Sequence, residues 1–226
     1  MSNVKIAPSF LTADMGQLAG AVRAVEAAGA DYLHLDVMDG HFVPPITFGT
    51  LVIEAIRRLT SLPLDVHLMV EQPERHLEAF ARAGSDILSV HIEAAPQAET
   101  VLKQIRALDC RAGICLNPDT PLSAIEEALA EADQVVVMAV NPGWGGQPFI
   151  PGTLPKVQRL RAMLDERGLS PDIEIDGGVK AGNIGSCALA GATVLVAGSA
   201  IFNGEASAGD NMRGLRQALT DAKAES

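Results

Sequence analysis

Basic residues are scarce in this chain. The 17 Lys and Arg stand against 28 Asp and Glu, giving a formal net charge of −11, and no basic cluster exceeds the pair Arg57-Arg58. Nucleic acid is therefore not an expected partner, because binding to a phosphate backbone rests on basic patches. A phosphorylated substrate could not be drawn in by long-range attraction either, and would have to be held by local backbone amides. Cysteine is equally sparse. Cys110, Cys115 and Cys187 are odd in number and show neither CxxC nor zinc-ribbon spacing, so packing cysteines in a reduced, cytoplasmic setting are expected. No apolar run approaches the roughly 20 residues of a membrane span. The opening MSNVKIAPSF enters a strand too soon to leave room for a signal peptide.

No linker rich in Pro, Gly or Ser interrupts the chain, so a single catalytic domain over residues 1–226 is expected, and 48% hydrophobic residues suffice for a large core. Apolar runs that read as strands are Val4–Ser9, Tyr32–Val37, Leu64–Met69, Ile87–His91, Ala112–Leu116, Gln134–Val140, Ile173–Asp176 and Thr193–Ala197. They alternate with amphipathic runs that read as helices, among them Gly16–Ala28, Pro73–Ala83, Leu122–Ala130 and Leu154–Arg167. Gly29 and Gly84 stand where left-handed helix caps would fall. This alternation predicts an α/β fold closed into a (β/α)8 TIM barrel. A doubly wound open sheet is the alternative, but it would carry a glycine-rich dinucleotide turn after strand one, where this chain has Ala7-Pro8-Ser9-Phe10.

Polar residues then stand out inside apolar strands. In Tyr32-Leu33-His34-Leu35-Asp36-Val37-Met38, the residues Leu33, Leu35 and Val37 share one face while His34, Asp36 and Met38 share the other. His67 and Met69 repeat the pattern in Leu64–Met69, and Ile173-Glu174-Ile175-Asp176 ends on a carboxylate. A lone strand histidine is commonly a hydrogen-bonded core residue. Two His and two Asp at strand ends, where barrel enzymes keep their chemistry, instead suggest a metal site that also holds two carboxylates for acid–base work. Such N/O donors suit zinc, iron(II), cobalt or manganese better than magnesium. His91 and Glu93, at the end of strand four, are candidates to support these ligands or to play a plain structural part. No role is assigned to His41 or His76.

Glycine-rich loops follow the last strands: Asn141-Pro142-Gly143-Trp144-Gly145-Gly146-Gln147, then Gly177-Gly178, then Gly198-Ser199. Late barrel loops, with the N-terminus of a short extra helix, commonly hold phosphate through backbone amides. Met38, Met69 and Met138 fall at matching depths and read either as soft core residues or as an apolar wall around a reactive intermediate. A Schiff-base aldolase would need a desolvated lysine inside the barrel, and none of Lys5, Lys103, Lys156, Lys180 and Lys223 is suitably placed.

These segments resemble the ribulose-phosphate 3-epimerase family over essentially the whole chain. The matching stretches are Ile6-Ala7-Pro8-Ser9, HLDVMDGHFVP (34 to 44), DVHLMV (65 to 70), SVHIEA (89 to 94), VNPGWGGQPFIP (140 to 151), EIDGGV (174 to 179) and VAGSAIF (196 to 202). The resemblance implies a barrel of the ribulose-phosphate binding type that interconverts D-ribulose 5-phosphate and D-xylulose 5-phosphate in the pentose phosphate pathway. It implies that His34, Asp36, His67 and Asp176 bind one divalent metal, zinc first, with iron(II), cobalt or manganese as alternatives, and no organic cofactor. Asp36 and Asp176 would also be the two catalytic acid/base groups. Ser9 and His67 would contact the sugar. Gly143 through Gly146 (including Trp144), Gly177-Gly178 and Gly198-Ser199 would hold the phosphate end. Trp144 stands where phenylalanine is usual, Ala139 replaces a common serine or threonine, and Pro45 replaces a common asparagine. The rivals are a 3-epimerase for another phosphoketose such as D-allulose 6-phosphate, and a non-catalytic phosphosugar-binding barrel. A small phosphosugar and a homo-oligomeric state, without membrane or nucleic-acid partners, complete the expectation.

Overall fold

Runs rich in Leu, Ile and Val build eight parallel strands in the computed structural model, which describes residues 4–224; residues 1–3 and 225–226 of the expected domain lie outside the described residues. The strands are β1 (Lys5–Pro8), β2 (Leu33–Met38), β3 (Leu64–Met69), β4 (Ile87–His91), β5 (Arg111–Leu116), β6 (Gln134–Met138), β7 (Asp172–Asp176) and β8 (Val194–Ala197). They form one sheet in the order β1-β8-β7-β6-β5-β4-β3-β2. The two outer strands meet across a narrow seam. Ser9 bridges His34, and the Asp31 amide donates to the Ile6 carbonyl at 3.0 Å, so the sheet comes close to full closure as a barrel.

Helices α1 (Leu18–Ala27), α2 (Thr50–Arg57), α3 (Leu77–Ala83), α4 (Ala98–Ala107), α5 (Thr153–Glu166), α6 (Ile184–Leu189) and α7 (Ala208–Ala224) alternate with the strands around it. Gly84 caps α3 with φ 107°, as its position in the sequence suggests. One expected helix is absent. The segment Leu122–Ala130 forms two short 3-10 turns, Leu122–Ala124 and Ala128–Glu131. Leu122, Ile125 and Ala128 are spaced by three, and i→i+3 bonds from Ile125 to Leu122 and from Ala128 to Ile125 set them on one side, which buries Ile125 and Ala128. Among the described residues no helix is long and apolar enough to cross a membrane.

The two faces of each strand have separate tasks. Leu33, Leu35 and Val37 point outward into the main hydrophobic cluster beneath the helices. Each buried leucine there contributes about 2 kcal/mol. Inward residues fill the barrel in layers. At the N-terminal end, Lys5 and Arg111 both reach Asp172 at 2.7 Å, and Arg111 donates to the Tyr32 hydroxyl at 2.8 Å. Lys5 thus closes the end of the barrel away from the glycine loops. Above this plug lies a buried polar layer of His34, Asp65, Gln134 and Glu174, none of them exposed. The residues at the C-terminal strand ends rest on it.

Candidate active site

Strand pairing decides which side chains meet. Asp36 is in register with His67, so two inward groups from adjacent strands lie side by side. Asp176 arrives from β7, where it pairs with Met138 and Val196. The result is one cluster of four donors: His34 Nε2, Asp36 Oδ1, His67 Nδ1 and Asp176 Oδ2. His34 Nε2 lies 3.3 Å from Asp36 Oδ1 and 3.7 Å from Asp176 Oδ2, and His67 Nδ1 lies 3.3 and 3.5 Å from the same two oxygens. All four donor atoms lie within 4.8 Å of one another, close enough to share one ion at the bond lengths of about 2.0–2.2 Å that zinc makes with nitrogen and oxygen.

Hydrogen bonding supports the same fit. His34 Nε2 is buried and has no hydrogen-bond partner, although carboxylate oxygens surround it. Its other ring nitrogen, Nδ1, meets Asp65 Oδ2 at 2.9 Å. With Nδ1–H donating to Asp65, the Nε2 lone pair is aimed at the centre of the cluster. Burial opposes a charge on His34, yet the Asp36 and Asp65 carboxylates hold its imidazole well above the usual range. A proton and a cation therefore compete for one lone pair. Burial also pushes the Asp36 carboxyl up, but the His34 and His67 imidazoles beside it leave it far below the usual carboxylate range. The donor set is one that a divalent ion fits.

Above the donors opens a cleft. Ser9, Asp36 and Asp176 form its floor; Met38, Met69 and Met138 form its wall. Gly143 through Gly146, Gly177-Gly178 and Gly198-Ser199 form its rim. His34 and His67 lie beneath, fully buried. Ser9 donates its hydroxyl to Asp36 Oδ2 at 2.6 Å, which leaves Oδ1 facing the donor centre. The backbone N–H groups of Gly145, Gly146, Gly178, Ser199 and Ala200 have no acceptor among the described residues. No lysine or arginine lines the cleft. After β8 the chain makes a single turn, with the Ile201 and Phe202 amides bonded to the Gly198 carbonyl.

Gly177 and Gly178 occupy backbone that other residues resist, with φ 116° and 67°. A Cβ at Gly178 would lie 2.6 Å from the Phe149 backbone nitrogen, so the turn also needs the missing side chain. Of the three departures, Trp144 is exposed at the rim and Pro45 lies beside Gly143. Ala139 stands apart from the cleft. It is buried in the main core, and its carbonyl accepts from the Ile150 amide at 2.8 Å, closing the base of the long loop.

Several participants escape a reading of the sequence. Asp65, Gln134 and Glu174 are among them, although Asp65 and Glu174 open two of the matching stretches. Gln134 Nε2 donates to Asp65 and to Glu174, both at 3.2 Å. Leu11, Thr12 and Gln147 also reach the cleft. The Gln147 amide ties its own loop by donating to the Asn141 and Trp144 carbonyls at 2.7 and 2.9 Å. Alternation of side chains would have marked Asp65 and Glu174, each two residues before a donor on the same inward face.

The ribulose-phosphate 3 epimerase family matches residues 5–202. The chain belongs to this family. It is 54% identical over 203 residues to a ribulose-phosphate 3-epimerase of Synechocystis, covering 89% of this chain and 88% of that protein. It is 50% identical to the Bacillus subtilis ribulose-phosphate 3-epimerase over 88% of this chain and 92% of the other. By architecture alone it is also similar to KGPDC from Streptococcus mutans, with a TM-score of 0.74 at 14% identity, covering 98% and 99% of the two chains. The chain is an enzyme of the epimerase family, and its barrel is shared more widely.

Proposed function

We propose that this chain inverts C3 of D-ribulose 5-phosphate to give D-xylulose 5-phosphate, reversibly, with one divalent ion held by His34, Asp36, His67 and Asp176. The observation that carries this reading is the convergence of two carboxylates, Asp36 and Asp176, whose facing oxygens lie within 4.8 Å of each other on the floor of a glycine-rimmed cleft. Inverting a carbon beside a carbonyl needs one group to remove a proton and another to return one on the opposite face. Asp36 on β2 acts as base toward ribulose phosphate and Asp176 on β7 as acid, with the roles exchanged in reverse. Ser9 holds Asp36 in place through its hydroxyl. The ion, zinc or another of iron(II), cobalt and manganese, supplies Lewis-acid stabilisation of developing oxyanion charge. Met38, Met69 and Met138 keep water from the planar intermediate.

The phosphate end is held by unpaired amides at Gly145, Gly146, Gly178, Ser199 and Ala200. Backbone donors suit an acidic protein that offers no basic side chain there. The same reading places the enzyme in a reducing, cytoplasmic compartment. Its three cysteines are buried and unpaired, and the reading includes association into homo-oligomers. Metal-replete protein incubated with D-ribulose 5-phosphate in D₂O and followed by NMR tests the reaction. Xylulose 5-phosphate deuterated at C3 supports it. Turnover only of D-allulose 6-phosphate would move the assignment to a hexulose phosphate, and binding without turnover would leave a phosphosugar-binding barrel.

A further inference from the structure

His67 has two ring nitrogens with different neighbours. Nδ1 faces Asp36 and Asp176, while Nε2 lies 2.8 Å from Nε2 of His91. The two rings are within 18° of parallel with centroids 4.9 Å apart. A nitrogen–nitrogen contact of 2.8 Å is too short for a face-to-face stack, so this is an in-plane N–H···N bond. Such a bond needs one donor and one acceptor, and neutral imidazole offers one of each. The tautomers of His67 and His91 are therefore locked to each other, and whatever fixes the far end of His91 also fixes His67.

Glu93 holds that far end. His91 Nδ1 lies 3.1 Å from Glu93 Oε2. Glu93 Oε1 accepts from the Asn117 amide at 2.9 Å and from the Thr120 hydroxyl. The Asn117–Thr120 loop is itself clamped by Lys156 of α5, which donates to the carbonyls of Asn117, Pro118 and Thr120. Burial pushes the Glu93 carboxyl up, but His91, Thr120 and the Asn117 amide hold it down at about 2, so it is an anion that only accepts. His91 must then donate from Nδ1 and accept at Nε2. His67 must donate from Nε2, so Nδ1 is the nitrogen left for Asp36 and Asp176: it bonds Asp36 Oδ1 at 3.3 Å, and a cation would take the place of the proton there.

We propose that Glu93 is a positioning residue for the cation site: acting through His91, it fixes His67 in the one tautomer that can ligate from Nδ1. This rests on the metal-centre reading above. Without the carboxylate, His91 can reverse, donate from Nε2 and force the His67 proton onto Nδ1, where it blocks the ligand atom. His91, one hydrogen bond from the ligand His67, is a partner of the kind that orients a ligand and raises its basicity, and Glu93 acts one bond further out. Cys115 lies close to both rings but is not needed in this chain of bonds.

Cobalt(II) affinity, measured by chelator competition on the whole protein, tests the proposal. The parent, Glu93→Gln, His91→Gln and the double variant form a cycle, with melting of the metal-free proteins as the check on folding. Glu93→Gln is expected to weaken binding about 10–100-fold, with His67 losing its Nε2 proton in ¹⁵N NMR of the metal-free protein. In the His91→Gln background the same substitution is expected to change affinity by less than about twofold, since the relay is already broken. Unchanged affinity in Glu93→Gln, or an equal loss in both backgrounds, would overturn the proposal and leave the metal centre standing. A parent that binds no cobalt, or that shows thiolate-to-cobalt charge transfer from Cys115, would overturn the metal-centre reading together with it.

Discussion

His34 and Asp65 meet through a 2.9 Å hydrogen bond, Nδ1 to Oδ2, in which neither residue reaches solvent. The bond fixes which ring nitrogen of His34 faces the donor centre. Replacing the carboxylate by an amide removes the charge that keeps Nδ1 protonated. Asp65→Asn is expected to fold and to bind zinc or cobalt about 10–100-fold more weakly, as read by competition with a chelator.

Glu174, in the same buried layer, behaves in the opposite way. Burial and the neighbouring Asp65 charge push its carboxyl well above the usual value, so it keeps its proton to higher pH than an ordinary carboxyl does. A group whose folded pKa is raised contributes stability below its unfolded pKa, about 4.3, and loses it as pH rises toward the folded value. Metal-free Glu174→Gln should therefore match the parent near pH 4 and become the more stable of the two as pH approaches 7. Thermal melts across that range check the sign.

On the proposed mechanism Asp36 and Asp176 divide the proton transfer, so their amide variants should fail differently. Each is expected to lower epimerisation by about 10³-fold or more. Starting from ribulose phosphate in D₂O, Asp176→Asn should still wash deuterium into C3 of the substrate while forming no xylulose phosphate. Asp36→Asn should do neither. Identical exchange in the two variants would remove the one-base, one-acid division.

Gly178 combines a left-handed backbone with contact against Phe149. Gly178→Ala meets both obstacles. It should cost about 3 kcal/mol in urea unfolding and, on the proposed role of these amides in holding phosphate, raise KM for the phosphosugar more than it lowers kcat.

Much of this architecture was open to reading in the chain. The eight strands fall within two residues of their sequence limits, because runs such as Leu64–Met69 are apolar on the outer face and punctuated by glycine and proline. His34, Asp36, His67 and Asp176 were visible as polar breaks at the ends of those runs, and the structure brings all four together. The segment Leu122–Ala130 misled because a three-residue apolar spacing is compatible with both α and 3-10 geometry over so short a span. The layer of Asp65, Gln134 and Glu174 stayed hidden for another reason. Strand alternation says which face a residue occupies, but only the register between β2, β3, β6 and β7 says which inward residues meet. The bond from His67 to His91 depends in addition on ring orientation, which no spacing encodes.

The seam between β1 and β2 has a consequence for how the protein is made. During synthesis, His34, Asp36 and His67 leave the ribosome well before Asp176 on β7. Strand β1 must wait for β8, its full-length neighbour. Until then Ser9, which steadies Asp36, rests on a single bridge to His34. A nascent chain thus carries three of four donors without the fourth. On the proposed metal-centre reading, capture of a cation becomes a late event, coincident with the arrival of the last strands, and reports that the barrel has been completed.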